Sequence, residues 1–203
     1  MSTRQGVVDQ ALLDATAAAI ARWGLHELTL ERVASEAGIS RATIYRRGVT
    51  REDLIGAVTA EAADTYTRAM LPALAQSGTA AERLRIALGA LCATADQHLH
   101  VLAGFFLAGG EVFHQPGPDA MVVEVFAEPF ERLLRDGAVD GSLRHLSPTI
   151  TATVLFNLVG WGYIHLRAAH GWGASITAEA IIDLVLHGAL GPASHQRVTT
   201  LTE

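Results

Sequence analysis

The chain has 203 residues, half of them apolar, so it can bury a full core in one or two domains without metals or disulfides. Its formal net charge of −6 argues against a uniformly basic surface, and its single cysteine, Cys92, excludes an intrachain disulfide framework. The first 25 residues carry charges throughout and contain no apolar block of the signal-peptide kind, so we expect a cytoplasmic protein.

Helical spacing of apolar residues begins near the N-terminus. It predicts a first helix over residues 5–23, which Gly24 ends as a C-terminal cap. Thr29 is a favourable N-cap for a second helix that runs to Ala37.

A third and a fourth helix follow closely. Ser40 is a favourable N-cap for the third. Thr50 and Asp53 have the spacing of a capping box, which predicts a fourth helix running toward Met70. Four helices therefore precede Pro72, near which we place a soft domain boundary that the fourth helix crosses.

The second and third helices have the spacing of a helix-turn-helix. Ala34 is small where two short helices must cross closely, Gly38 can adopt the positive φ that ends the first of them, and Ile44 turns the apolar side of the second inward. This combination predicts a DNA-binding unit.

The distribution of charge supports this prediction. Residues 1–55 hold seven arginines against seven acids, so the whole net charge of −6 resides in residues 56–203. Four arginines, at positions 41, 46, 47 and 51, fall within eleven residues that contain no acid. Such a cluster can be an ordinary solvated helix face, but on a helix-turn-helix it favours contact with DNA.

Residues beyond 72 also repeat apolar side chains at helical spacing. They predict helices over 80–98, 99–108 and 119–135. Gly137 is expected to stop the last of these. Ser147 and Pro148, an N-cap followed by a proline at the first helical position, predict a helix that reaches about His170.

The final predicted helix starts with Ser175 or Thr177 as its cap and ends at 188–191. It has two apolar faces, one marked by residues 181, 184 and 185 and the other by residues 182, 186 and 189. Two apolar faces need two partners. We predict that one is the core of the subunit and the other a second copy, which together form a four-helix bundle from the last two helices of each subunit.

The stretch 146–166 has no charged residue and is long enough to span a membrane. Hydroxyl, amide and imidazole side chains dilute its apolar character, and the sequence has no second such stretch. We therefore expect a helix that is buried on several sides within an oligomer, and no membrane partner.

The chain resembles the TetR family of bacterial transcription regulators. The resemblance is specific over residues 5–60 and architectural beyond Pro72. It rests on Gly24, Thr29, Val33, Ala34, the run Ala37-Gly38-Ile39-Ser40, Thr43, Ile44, Tyr45, Arg51, Glu52 and Leu54. It implies an all-α fold with a three-helix DNA-binding head (1–55) and a C-terminal helical bundle for ligand binding and dimerisation (56–203).

The resemblance also implies a mechanism, namely repression that a small, largely apolar effector relieves. A homodimer would place its third helices in successive major grooves about 34 Å apart on a near-palindromic operator. No cofactor is implied. The implied phosphate contacts are Thr29, Tyr45 and Arg51, and the implied contacts at or near base edges are Ser40, Arg41, Ala42, Thr43 and Arg46. Their chemistry agrees, because arginine can bond guanine bidentately and hydroxyls can bond phosphate oxygens.

The sequence departs from the family pattern at Gly48, where most members have an aromatic residue, and at Val49, where most have proline or glycine. That aromatic residue anchors the end of the recognition helix. We therefore expect a mobile head in which Val49 partly fills the space, and expect Gly48→Trp or Gly48→Phe not to lower thermal stability.

Aromatic and apolar residues of the C-terminal half could line an effector pocket or form plain core. The candidates are Leu102, Phe105, Phe106, Phe126, Phe130, Asn157 and Trp161. The Asn157 amide, alone in an apolar helix, must find its hydrogen bond in a ligand, a neighbouring group or the second subunit. The dimer-interface candidates are Gly160, Tyr163, His165, Ile181, Leu184, Val185 and Gly188.

Two alternatives stay open. A helical-bundle enzyme acting on an apolar substrate lacks support, since the sequence has no nucleophile elbow, phosphate loop or Cys-x-x-Cys, and no metal site is predicted because His98 and His100 fall on different helix faces. A regulator controlled by a partner protein instead of a small molecule agrees with everything in the sequence.

Overall fold

The computed structural model describes residues 8–107 and 123–188, without the side chains of 106, 107 and 123–125. Within these ranges every regular element is a helix, which confirms the all-α prediction. The helices are α1 (Gln10–Trp23), α2 (Leu30–Glu36), α3 (Arg41–Arg46), α4 (Arg51–Ala75), α5 (Ala80–Gln97), α6 (Leu99–Leu107), α7 (Val123–Asp140), α8 (Pro148–Ala168) and α9 (Ala174–His187).

The N-terminal core is built by α1, α2, α3 and the first two turns of α4. Leu12, Val33, Ile44 and Leu54 are completely buried in it. α6 also belongs to this core, because Phe105 is buried there although it lies some fifty residues further along the chain.

A second core lies between the remainder of α4 and α5, α7, α8 and α9. Tyr66, Leu88, Phe130 and Val159 are among its buried side chains. Leu102 of α6 packs against both cores. The continuous helix α4 and the short helix α6 therefore join the DNA-binding head to the C-terminal bundle.

The predicted caps of the head are present. The Thr29 hydroxyl accepts from the Arg32 N–H, the Ser40 hydroxyl accepts from the Thr43 N–H, and Thr50 forms its capping box with Asp53. A further capping box, between Thr79 and Glu82, starts α5. The spacing T-x-x-E at residues 79–82 is the sequence signal of such a box.

Predicted helix ends were wrong for α1, α4, α7 and α9. α4 does not end before Pro72 but contains it and ends at Ala75. α1 begins at Gln10 with Asp9 as its cap, so residues 8 and 9 of the predicted helix are not helical, while its residues 5–7 lie outside the described residues. α7 continues through Gly137 to Asp140. A Cβ at position 137 would lie 2.5 Å from the Leu143 side chain, so this glycine permits close packing and does not end the helix.

The start of α9 was also predicted wrongly, since this helix begins after Gly173 without a side-chain cap. Thr177 lies inside the helix, and its buried hydroxyl donates to the Gly173 carbonyl oxygen over 2.8 Å. The predicted cap residue is thus satisfied within its own helix.

By length and composition α8 could cross a membrane, but it is the central helix of the bundle and packs against α5, α6, α7 and α9. Only 33% of its most apolar window is buried within one subunit, so much of its apolar surface is still uncovered.

Cys92 of α5 is buried as expected, and burial raises the pKa of its thiol to about 12, which makes it a poor nucleophile.

Candidate DNA-binding surface and effector cavity

The backbone of α2 and α3 forms the predicted helix-turn-helix. Gly38 has φ +66°, in the left-handed region, and the Ile39 N–H donates to the Ala34 carbonyl oxygen over 2.9 Å. Ala34 and Ile44 are both buried. The three residues that predicted the motif therefore occupy the turn and the contact between the two helices.

One face of α3 is available to DNA. Arg41, Ala42 and Arg46 are exposed, and within the described residues neither arginine forms an ion pair at salt-bridge distance. Ser40 and Thr43 lie at the start of the helix with their hydroxyl oxygens 2.9 Å apart. These five residues are those expected at or near base edges.

Tyr45 is oriented by a contact between α3 and α2. Its side chain is 56% exposed, and its hydroxyl donates to the Glu31 carboxylate over 2.6 Å. This hydrogen bond is the main cause that lowers the pKa of Glu31 and raises the pKa of Tyr45, while the charge of Arg41 contributes to the lower pKa of Glu31. A phosphate contact by Tyr45 would therefore compete with Glu31 for the same proton.

Arg51 has a role inside the head. Its Nε donates to the Leu28 carbonyl oxygen over 3.1 Å, and its Nη2 donates to the Leu25 carbonyl oxygen over 2.9 Å. Two donors of the guanidinium are therefore already bonded to carbonyl oxygens of the loop before α2. The phosphate contact that the family likeness implies for Arg51 does not explain these two bonds.

Arg47 is also engaged within the head, in a 2.8 Å ion pair with Asp9, the cap of α1. The arginine cluster thus divides into a pair with partners inside the head, Arg47 and Arg51, and an exposed pair without a salt-bridge partner among the described residues, Arg41 and Arg46. Charge counting in the sequence could not separate these pairs.

The end of the recognition helix is closed by Gly48 and Val49. Gly48 has φ +67°, and no atom lies within 4 Å of the position that a Cβ would take. Val49 is buried in the head core. The apolar contact that an aromatic residue would provide is thus made by the next residue, while Gly48 supplies the turn.

An apolar cavity of about 50 Å³ lies between α4, α5, α6, α7 and α8. Three of the predicted pocket residues line it, namely Leu102, Phe126 and Trp161. The other lining residues are Ala62, Tyr66, Leu91, Thr94, Ala95, Phe156, Gly160 and Ile164. None of the lining side chains carries a charge.

Four predicted pocket residues do not appear in this lining. Phe105 is buried in the head core and Phe130 in the core of the bundle. The Asn157 amide donates to the Thr153 carbonyl oxygen over 2.8 Å, so it finds its partner in its own helix. The side chain of Phe106 lies outside the described part of the structure.

The interface candidates are similarly divided. Tyr163 is buried within its own subunit and donates to Asp96 over 3.0 Å, and Gly160 faces Leu91 beside the cavity. Neither is accessible to a second copy, because the subunit's own α5 already covers both. Ile181 and Val185 pack partly against the bundle core.

His165, Leu184 and Gly188 are exposed. Leu184 is one of five large apolar side chains of α8 and α9 that are more than half exposed. We name this set the α8–α9 apolar face, and it consists of Ile150, Val154 and Leu158 on α8 and Ile176 and Leu184 on α9. The α8 members recur every four residues and therefore form one stripe along the helix.

A family model described as "Bacterial regulatory proteins, tetR family" matches residues 12–58, which span the helix-turn-helix, most of α1 and the first two turns of α4. The N-terminal part of this chain therefore matches the TetR family. The chain is a DNA-binding transcriptional regulator, and the exposed pair Arg41 and Arg46 lies on α3, the second helix of its helix-turn-helix.

Solved structures of bacterial regulators share the fold over nearly the full chain. PfmR from Thermus thermophilus has 18% identity and a TM-score of 0.75, covering 90% of this chain and 100% of its own. FadR from Bacillus subtilis, solved in complex with stearoyl-CoA, has 16% identity and a TM-score of 0.69, covering 89% and 98%. The fatty acid degradation regulator FadR from Bacillus halodurans has 17% identity and a TM-score of 0.71, covering 88% and 94%. No curated protein matches the chain in sequence.

Proposed function

We propose that this TetR-family protein is a homodimeric repressor that leaves a near-palindromic operator when a small, largely apolar molecule enters the cavity. The observation that carries the proposal is the position of α6. One side of this helix completes the core of the DNA-binding head, and Leu102 on the same helix lines the cavity.

The contact between α6 and the head is tight. Val101 and Phe105 are buried in the head core. Gly104 allows close approach, since a Cβ there would lie 3.2 Å from the Leu25 Cβ and 3.4 Å from the Ile20 Cγ2. A displacement of α6 therefore cannot leave the head where it is.

The size of the cavity supports such a displacement. At about 50 Å³ it is smaller than the roughly 150 Å³ cavity that holds one benzene molecule in an engineered protein. An organic effector must therefore move lining side chains outward. One of these side chains is Leu102, which also packs against the core of the head. The effector binds the displaced arrangement of α6 more tightly than the undisplaced one. This difference in binding free energy shifts the population away from the DNA-binding form.

The chemistry of the lining supports an apolar effector, because uncharged aliphatic and aromatic side chains surround the cavity. The likeness to FadR, solved with stearoyl-CoA, agrees with an effector that has an apolar part. The acyl chain and CoA of that ligand are properties of FadR and do not fix the effector of this chain.

The α8–α9 apolar face supports dimerisation. Five large apolar side chains on two adjacent helices are uncovered in one subunit, and a second copy would bury them in a four-helix bundle. The proposed interface therefore contains Ile150, Val154, Leu158 and Ile176 instead of the predicted Gly160 and Tyr163. Leu184 stays in the proposed interface.

Selection of bound duplexes from a random DNA pool tests the proposal. We expect an enriched inverted repeat whose half-sites are centred about one helical turn apart, together with a gel shift at moderate salt. Binding without sequence preference would contradict the regulatory role. Operator release by an apolar compound would then distinguish an effector-controlled repressor from a regulator that is controlled by a partner protein.

A further inference from the structure

We infer that the effector carries an uncharged hydrogen-bonding group, a hydroxyl or a carbonyl, and that the Thr94 hydroxyl recognises it. This inference rests on the proposed function of the cavity as the effector site. It adds the chemical class of the effector and the residue that selects it.

Thr94 differs from the other buried threonines in the described residues. Thr16, Thr59 and Thr177 each donate to the carbonyl oxygen four residues earlier in their own helix. The Thr94 side chain is only 6% exposed, and its Oγ1 has no hydrogen-bond partner in the described structure. A buried hydroxyl without a partner costs free energy, so its presence needs a reason.

The position of Thr94 supplies that reason. Thr94 lies on α5 and lines the cavity. The other hydroxyl at the lining, that of Tyr66, already donates to the Phe126 carbonyl oxygen over 2.5 Å. The Thr94 Oγ1 is itself buried in the cavity wall. An effector that displaces the lining side chains can reach this hydroxyl, which can either donate or accept.

The surroundings argue against a charged group at this point. Asp96, two residues further along α5, is held by Arg167 over 2.7 Å and by Tyr163 over 3.0 Å. No lining side chain offers a positive charge to a carboxylate or a phosphate. Burial of an unpaired charge is unfavourable, which leaves a neutral polar group as the one that fits.

Benzyl alcohol, toluene and benzoate provide a matched set of probes, since they share one compact ring and differ in the polar group. We expect benzyl alcohol to bind the wild-type protein more tightly than benzoate does. Thr94→Val keeps the shape of the side chain and removes the hydroxyl. It should weaken the binding of benzyl alcohol about three- to tenfold and leave the affinity for toluene unchanged. Binding is measured by calorimetry.

Two further variants serve as controls. Thr94→Ser keeps the hydroxyl and should retain the preference for benzyl alcohol. Thr67→Val removes an exposed hydroxyl that donates to the Ala63 carbonyl oxygen, and it should change no probe affinity. The ligand-free Thr94→Val protein should melt about 2–4 °C higher, because it no longer buries an unpartnered hydroxyl.

The possible results separate the inference from the proposed function. The role of Thr94 would be overturned if Thr94→Val lost the same affinity for toluene as for benzyl alcohol, or if the wild type bound benzoate more tightly than benzyl alcohol. Either result would still agree with the cavity as the effector site. Failure of all three probes to bind would overturn the cavity as an effector site, and this inference with it.

Discussion

Arg51 at the start of α4 donates from Nη2 to the Leu25 carbonyl oxygen over 2.9 Å. A second bond, from Nε to the Leu28 carbonyl oxygen over 3.1 Å, completes the clamp. The guanidinium therefore joins the loop between α1 and α2 to the first turn of α4. The Leu25 carbonyl oxygen also accepts from the Leu28 N–H over 3.2 Å, so Arg51 adds a second bond there and supplies a donor to the Leu28 carbonyl oxygen, which lies outside the helices.

Replacement of this clamp should affect folding more than DNA chemistry. Arg51→Met is expected to lower the free energy of unfolding by about 1–3 kcal/mol, since it removes two charge-assisted hydrogen bonds. Urea denaturation followed by circular dichroism measures this change. The salt dependence of operator binding should keep its slope.

Arg46→Met is the matched control for Arg51→Met. Arg46 is exposed and forms no ion pair within the described residues, so its loss should leave stability within about 0.5 kcal/mol. If it contacts a phosphate, the slope of log affinity against log salt falls by about 1, and if it contacts a base, the operator preference changes at one position. Unchanged binding would remove Arg46 from the interface.

Gly48 should not tolerate a side chain, although the space around it is open. Its φ of +67° strains any residue with a Cβ, so Gly48→Ala is expected to cost about 1 kcal/mol. Gly48→Trp should also lose stability, contrary to the expectation from the family pattern. Gly48→Asn should cost less, because asparagine enters this region more readily. Equal thermal stability of all three variants and the wild type would show that the turn is not strained.

Gly104 should control how closely α6 approaches the head. In Gly104→Ala the new methyl group lies 3.2 Å from the Leu25 Cβ, so Leu25 or α6 must shift. We expect a loss of about 1–3 kcal/mol and weaker operator binding. Gly89→Ala on α5 meets no atom within 4 Å and should gain up to about 1 kcal/mol from helix propensity. A similar gain in both variants would contradict the close contact.

His98 should make stability fall at acidic pH. Burial lowers its pKa, and the charge of Glu61 only partly opposes this effect. The unfolded chain therefore binds a proton at this residue more readily than the folded one. Stability is unaffected above the unfolded pKa of about 6.5, and it is lost as pH falls from there toward the lower folded pKa.

Unfolding by urea at several pH values between about 5 and 8 measures this effect. His98→Gln should flatten the dependence of stability on pH, whereas the exposed neighbour His100→Gln should leave it unchanged. An identical pH dependence in wild type and His98→Gln would assign the effect to other groups.

Dimerisation should depend on the α8–α9 apolar face. Leu158 and Leu71 are almost equally exposed, at 56% and 57%, but only Leu158 lies on that face. Leu158→Glu is expected to produce monomers in analytical ultracentrifugation and to abolish operator binding, because a buried unpaired charge opposes association. Leu71→Glu should stay dimeric. Dissociation of both variants, or of neither, would contradict the proposed interface.

The sequence predicted those parts of the protein that depend on local chemistry. The caps Thr29, Ser40 and Thr50 and the turn at Gly38 are determined by residues within four positions along the chain, so periodicity and capping rules located them. The helix-turn-helix followed from the same information, but the sequence did not separate the arginines without a salt-bridge partner in the described part of the chain from those that bond within the head.

The remaining features depend on which residues meet across the fold. Arg51 has an ordinary position in the motif, and only the approach of the loop before α2 makes it a clamp. Tyr163 and Leu158 lie on the same apolar helix, and the position of α5 decides that one is buried and the other exposed. Thr94 resembles other helical threonines until its missing partner is seen.

The continuous helix α4 has a mechanical consequence. Its 25 residues extend about 37 Å, from Leu54 in the head core to Met70 and Ala73 in the bundle core. A rigid rod of this length acts as a lever, so a tilt of about 5° at the bundle end carries the other end by about 3 Å. In a dimer the two α4 helices would move in opposite directions. A sub-ångström adjustment around an effector would then become a larger change in the distance between the two DNA-binding heads, which would no longer match the groove spacing.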